Sequence, residues 1–282
     1  MSFFFNFHTQ TEEAPHEWSF VFTVDTRNTY SSGSSNNDQF TMPFQLNKVY
    51  ALTASSPGLD NDVEIIGDGS AIDPTLTFTS PGIHRVTLYP HNIDGLGSWH
   101  FNDGTTASPN LIHVFDKDKI ISIEQWGAFN VDWSNSGSVG AFWGCSNLNN
   151  VSATDIFVHK CVMTSFFRDC YSLASVANPR SFLASDNAAQ RVFQNCRSFN
   201  DDLTGYSPYR ENTNPGGYPL VLEGCWSFNG HIDGIVTSTV DNISNMLNGT
   251  LYNLPIANWD TQNVTNFNYV FYNNSRFDQS IA

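Results

Sequence analysis

The chain has 282 residues, of which 40% are hydrophobic and 14% aromatic, so it can bury a sizeable core. Only 14% are charged, against roughly 25% in an average soluble protein, and the many Asn, Ser, Thr and Gly residues favour an all-β or repeat protein rich in turns. The formal net charge of −15 disfavours nucleic-acid partners and anionic lipid surfaces. We see no Sec signal peptide and no apolar run of about 18 residues, so no membrane insertion is expected.

Residues 1–112 consist of short apolar segments separated by turn residues. Residues 18–26 alternate large apolar and small polar side chains, which predicts a strand. Turn residues separate five further predicted strands, at 39–44, 48–55, 63–66, 75–78 and 84–89. Short strands at this spacing predict a small β-sandwich over residues 1–112.

Two stretches of this segment resemble a known β-sandwich family. The sequence "IIGDGSAI" at residues 65–72 resembles the "WGDGS" turn of PKD domains, and "SPGIHRVTLYP" at 80–90 resembles a later strand of the same domains. The resemblance implies a PKD-like, immunoglobulin-like sandwich.

From residue 113 onward the sequence pattern changes. A predicted strand at 119–127 leads into a series of sequence repeats. Each of the first units has a large apolar anchor, a Cys three residues later and a second apolar residue three after that, as in "FWGCSNL" and "FRDCYSL". The anchors are spaced by 25, 26, 29, 25 and 24 residues: Phe142, Phe167, Phe193, Leu222, Leu247 and Phe271. This period predicts a solenoid of about six coils over 113–282, with an insertion near 204–219 and short strands and helical turns.

The last unit carries the sharpest resemblance. Residues 258–282, "NWDTQNVTNFNYVFYNNSRFDQSIA", resemble the BspA-like leucine-rich repeat, and the earlier Cys-containing units resemble a related variant of it. The resemblance implies a leucine-rich-repeat-type solenoid and a role in adhesion or protein contact.

Four of the five Cys residues occupy one repeat position: Cys145, Cys170, Cys196 and Cys225. Thr250 and Asn274 take that position in the last two units, which favours a buried structural column over thiol chemistry. A disulfide between neighbours in the column remains an alternative. The absence of zinc-type spacing disfavours a metal or catalytic role, and no cofactor is predicted.

An acidic segment offers a weak Ca²⁺ candidate formed by Asp60, Asp62 and Asp68. The segment lacks the EF-hand pattern, and strand alternation would spread its carboxylates over two faces. We therefore interpret these residues as solvated turn acids and predict no metal site.

Aromatic residues beside the repeat anchors are candidates for binding. Trp143, Tyr171, Trp226 and Tyr252 are expected to point outward and to offer contact area to a protein or a sugar. Packing at the edge of the core is the alternative interpretation.

The sequence contains no nucleophile or dinucleotide motif, and no enzymatic activity is expected. Because we see no export signal, we first expect a virion-associated component such as a phage tail fibre, appendage or capsid decoration. A bacterial surface adhesin of the BspA-like type is the alternative, and a carbohydrate-binding or carbohydrate-active protein a distant one. The final coil, 263–282, ends without a cap, so either further repeats follow it or another subunit covers it. We predict that it contacts other subunits in an oligomer, with a host-surface protein or glycan as a further partner.

Overall fold

A computed structural model describes residues 17–29, 34–44, 49–68, 74–91, 99, 101, 116–129, 140–155, 163–178, 190–204, 220–232 and 240–281. The fold is mainly β. Helix within these ranges is limited to a 3₁₀ turn at Lys117–Lys119. No helical segment among them has the length and apolar character needed to cross a membrane.

The described residues form nine strands, and the seven strands predicted up to residue 127 are confirmed to within a few residues at each end. Their apolar alternation places one face of each strand in the core. The strands are β1 (Phe20–Asp25), β2 (Gln39–Thr41), β3 (Val49–Ser55), β4 (Val63–Asp68), β5 (Thr75–Thr77), β6 (Ile83–Pro90), β7 (Ile120–Gln125), β8 (Asn150–Val151) and β9 (Ser175–Val176).

Seven of these strands form one sheet in the order β4-β3-β6-β1-β7-β8-β9. The pairs from β4 to β7 are antiparallel, whereas β7-β8 and β8-β9 are parallel. Strand β7 thus lies between β1 and the repeats, so the segments 1–112 and 113–282 share one sheet. A second, antiparallel sheet consists of β2 and β5.

Aromatic rings fill the space between the two sheets and continue into the repeats. The Phe22 ring on β1 lies 5.6 Å from that of Phe40 on β2. Trp99 is fully buried, and its ring lies 5.5 Å from Phe22 and 6.4 Å from Phe142 in the first repeat. The core is therefore continuous from the first sheet to the repeats.

A buried ion pair holds the segment before β2 against the start of β7. Lys119 and Asp116 are both 0% exposed at their side chains, with Nζ 3.1 Å from Oδ1. The Lys119 ammonium also donates to the carbonyl oxygens of Asn36 (2.9 Å) and Gln39 (2.8 Å) and to Ser35 Oγ (2.7 Å). Burial lowers the Lys119 pKa, and the Asp116 carboxylate opposes this shift.

The repeats differ from the expected alternation of strand and helical turn. Strands are assigned in only the first two units, and no helix occurs in the described parts of the six units. Consecutive turns replace the helix because left-handed residues interrupt each turn segment. They recur four residues apart in five units: Ser165 and Asp169, Arg191 and Asn195, Leu220 and Gly224, Asn245 and Gly249, and Tyr269 and Asn273. The predicted insertion near 204–219 lies outside the described residues except for Thr204.

Candidate functional site

The repeated cysteines are buried and stacked against the main chain of the preceding unit. All four have free thiols and are 0% exposed. The thiol of Cys170 donates to Phe142 O (3.1 Å), that of Cys196 to Phe167 O (3.0 Å) and that of Cys225 to Phe193 O (3.0 Å). Each of these three bonds joins a cysteine to the apolar anchor of the unit before it. The fifth cysteine, Cys161, lies outside the described residues.

These environments disfavour thiol chemistry. Desolvation raises the pKa of Cys145, Cys170, Cys196 and Cys225 above the ordinary value of 9.0. Because the thiolate is the nucleophile and the metal ligand, a buried thiol kept protonated serves neither role. Among the described residues, no group of three or more His, Cys, Asp or Glu side chains could hold a metal ion.

The two substitutions in the cysteine column retain a hydrogen-bond donor. Thr250 Oγ1 donates to Leu247 O (2.8 Å), and Asn274 Nδ2 donates to Tyr252 O (2.9 Å). The position therefore suits a small side chain that can donate to a carbonyl, which Cys, Thr and Asn share. The sequence had indicated only a small, largely apolar residue.

Backbone hydrogen bonds connect the turn segment of each unit to that of the next. In these bonds the N–H donor belongs to the earlier unit and the carbonyl acceptor to the following unit. Phe142 N–H donates to Phe166 O (2.9 Å), and Phe167 N–H donates to Val192 O (2.9 Å). Left-handed residues allow alternate N–H groups of one turn segment to point toward the following unit. The residue just before the cysteine position is Gly, Asp or Asn in all six units, the types that best tolerate this conformation.

Two columns of apolar residues run beside the cysteines. The anchors Phe142, Phe167 and Phe193 stack with 5.8 Å between successive ring centroids. Leu222 and Leu247 are fully buried in the same series, whereas Phe271 in the last unit is half-buried. The second column stacks with centroid distances of 6.0, 6.2 and 6.4 Å and consists of Phe199, Phe228, Tyr252 and Phe277.

Two of the four candidate binding aromatics do not point outward. Trp143 is 4% exposed because its Nε1–H donates to Asp169 in the next unit (2.8 Å) and Arg168 covers its ring. Tyr252 is 1% exposed because it belongs to the second stacked column. These two residues are therefore core packing, in agreement with the second interpretation given above, and are not binding residues.

The other two candidates are exposed and share a cation. Tyr171 is 38% and Trp226 is 56% exposed. The guanidinium carbon of Arg197 lies 4.3 Å from the Tyr171 ring centroid and 4.5 Å from that of Trp226. Arg197 was not among the predicted site residues, although it directly follows Cys196 as Tyr171 and Trp226 follow their own cysteines.

The weak calcium candidates are not brought together. Asp60 and Asp62 are exposed in the turn between β3 and β4, whereas Asp68 is the last residue of β4. Because a strand rises by roughly 3.3 Å per residue, Asp62 and Asp68 are separated by about the length of β4. Sequence proximity did not indicate spatial proximity here.

The C-terminal unit ends in a row of N–H groups that have no hydrogen-bond acceptor among the described residues. In the unit before it, Ile243, Asn245, Leu247 and Gly249 donate to carbonyls of the last unit at 2.9–3.1 Å. The equivalent donors of the last unit have no such acceptor among the described residues: Phe267, Tyr269, Phe271 and Asn273. We call these four groups the donor row. The aromatic side chains of Phe267, Tyr269 and Tyr272 beside it are exposed.

The comparisons with known proteins give one match. Residues 220–282 match the model of a family described as "Mycoplasma protein of unknown function, DUF285". The matched stretch contains the three units anchored at Leu222, Leu247 and Phe271 and includes the donor row. No curated protein and no solved structure matches the chain.

Proposed function

We propose that this chain is a non-enzymatic structural and binding protein displayed on the surface of a particle or cell, and that its C-terminal unit contacts another protein subunit. The donor row supports this proposal, because whatever covers it, a further repeat unit or another subunit, must supply acceptors to these N–H groups. Open backbone donors at a sheet-like edge are a template for pairing with another chain. Exposed Phe267, Tyr269 and Tyr272 add the aromatic contact area that is typical of interface cores.

The polarity of the donor row restricts the geometry of that contact. A two-fold interface places the same surface on both partners, so it would set N–H groups against N–H groups. The partner must instead present carbonyl or carboxylate oxygens at alternate residues, as each following unit does within the chain. Where another subunit covers the row, we expect a heterologous contact, which closes into a ring or extends as a fibre.

Two biological settings use such a contact. A virion-associated tail fibre, appendage or capsid decoration assembles from repeated subunits, and a bacterial surface adhesin binds host proteins. We place the virion component first and the adhesin second. For the architecture, we propose a PKD-like sandwich merged with a BspA-like, leucine-rich-repeat-type solenoid. The stacked anchors and the repeat period support this assignment.

The mass in solution of edge variants tests the proposal. We expect the purified chain to scatter light as a multiple of its 31.5 kDa mass. Tyr269→Asn combined with Tyr272→Asp should return it to the monomer, since Asn tolerates the left-handed backbone at 269 while the aromatic surface is lost. Ile83→Ser, which removes another exposed apolar side chain, should leave the assembly intact. A wild-type chain that is monomeric at all concentrations would contradict assembly through this edge.

A further inference from the structure

The exposed stack of Tyr171, Arg197 and Trp226 lies on a different part of the molecule from the donor row. Each of the three residues follows the cysteine position of its unit, in three consecutive units. Ser198 N–H donates to Tyr171 O and Ser227 N–H donates to Arg197 O, both at 3.2 Å. The backbone thus fixes the three side chains one above the other.

The stack ends at Trp226 because the next unit is shorter. In the units before it, two residues separate the cysteine position from the second apolar column, whereas only Leu251 separates Thr250 from Tyr252. Leu251 N–H donates to Phe228 O, so the backbone hydrogen-bond pattern of the stack is not repeated beyond Trp226 among the described residues. Arg197 covers one face of the indole, yet 56% of the residue remains exposed. The exposed area therefore includes ring surface that Arg197 does not cover.

The guanidinium of Arg197 keeps N–H donors available for a ligand. Two aromatic faces hold it by cation–π contact, which occupies the faces of the guanidinium and leaves its in-plane N–H groups. None of the ion pairs within the described residues involves Arg197. A planar, positioned guanidinium suits a carboxylate, which can accept two parallel N–H bonds from it.

We propose that Tyr171, Arg197 and Trp226 form a binding site for a saccharide that carries a carboxylate. The apolar face of a sugar ring packs on the open face of Trp226 while the sugar carboxylate accepts hydrogen bonds from Arg197. The net charge of −15 disfavours polyanions such as nucleic acids, which favours a ligand with a single carboxylate. This proposal rests on the proposed surface-binding role and adds a ligand class to it.

Two ligand pairs test this site by isothermal titration calorimetry. Sialyllactose is compared with its methyl ester, and cellobiouronic acid with cellobiose. We expect at least one acid to bind the full chain and its uncharged counterpart to bind about tenfold more weakly or more. Failure of both acids to bind, or equal affinity for the charged and uncharged members of each pair, would overturn the proposal.

Surface variants locate the binding. Arg197→Gln should abolish the preference for the acid, and Trp226→Ala should weaken binding by about tenfold or more. Ile83→Ala removes an exposed apolar side chain of β6, outside both surfaces, and should leave sugar affinity unchanged. Binding that survives both Arg197→Gln and Trp226→Ala would refute the assignment of these residues. Light scattering of Arg197→Gln and Trp226→Ala tests the C-terminal contact separately. Neither substitution should change the oligomeric state.

Discussion

The buried cysteine column should make the protein sensitive to alkaline pH in proportion to the number of thiols. In the unfolded chain each cysteine loses its proton near the ordinary pKa of 9.0, whereas burial raises the pKa of Cys145, Cys170, Cys196 and Cys225 in the folded chain. Above that pH the unfolded state therefore binds fewer protons than the folded state, and stability falls as pH rises. The stability contributed by the buried thiols is fully present below the cysteine pKa of the unfolded chain.

The size of the effect follows from proton linkage. Between about pH 7.5 and about pH 10, each thiol that stays protonated only in the folded state lowers the free energy of unfolding by about 1.4 kcal/mol. The four thiols together remove about 5.5 kcal/mol. This loss is comparable with the whole stability of a marginal domain, roughly 5–15 kcal/mol.

Urea unfolding followed by tryptophan fluorescence, under reducing conditions, measures this effect. Cys196→Thr copies the substitution that the chain itself carries at Thr250, where the hydroxyl keeps a donor to a carbonyl. We expect the stability lost between about pH 7.5 and about pH 10 to be smaller in Cys196→Thr than in the wild type by about 1.4 kcal/mol. Adding Cys225→Thr should double the difference. Tyrosine ionisation is common to all variants and cancels, so parallel pH profiles would refute the reasoning.

Two further predictions concern single positions in the scaffold. Lys119→Met should lower the free energy of unfolding by about 3–5 kcal/mol because the buried carboxylate of Asp116 loses its counter-ion and keeps only the hydrogen bonds from Ser35 and Thr41. Arg27→Met, which breaks an exposed pair, should cost far less, and equal losses in urea unfolding would contradict this account. Gly224→Ala should cost at least about 1 kcal/mol, since φ is +72° there and the new Cβ would clash with Oδ1 of Asn195. Gly82→Ala meets no atom closer than 3.8 Å and should leave the thermal unfolding midpoint nearly unchanged; a similar drop in both variants would argue against strain at 224.

Local pattern predicted the strands and the repeat period well, because both depend on side chains close together in sequence. Period-two alternation located β1, and the fixed spacing identified the positions of Cys145 to Cys225. The role of β7 as the link between β1 and β8 could not be predicted, because strand pairing depends on contacts about a hundred residues apart, as between Thr23 and Ser122.

The errors in the candidate site have equally specific causes. Trp143 is buried by a hydrogen bond to Asp169, which is 26 residues away in sequence and adjacent only once the units stack. Tyr252 enters the core because its unit is one residue short, which moves it into the second apolar column. The left-handed residues did leave a signal, namely the Gly, Asp or Asn before each cysteine position, but this signal indicates a backbone conformation and not a partner.

Amide hydrogen exchange in the last unit tests the proposed contact most directly. In dilute solution, the N–H groups of Phe267, Tyr269, Phe271 and Asn273 should exchange faster than those of Val270 and Tyr272, which donate within the unit at 3.3 and 3.1 Å. In the assembled protein the four donors should become protected, because partner carbonyls then accept from them. Donors that are protected already in the monomer, or that stay unprotected in the assembly, would contradict the assignment of this edge as the contact surface.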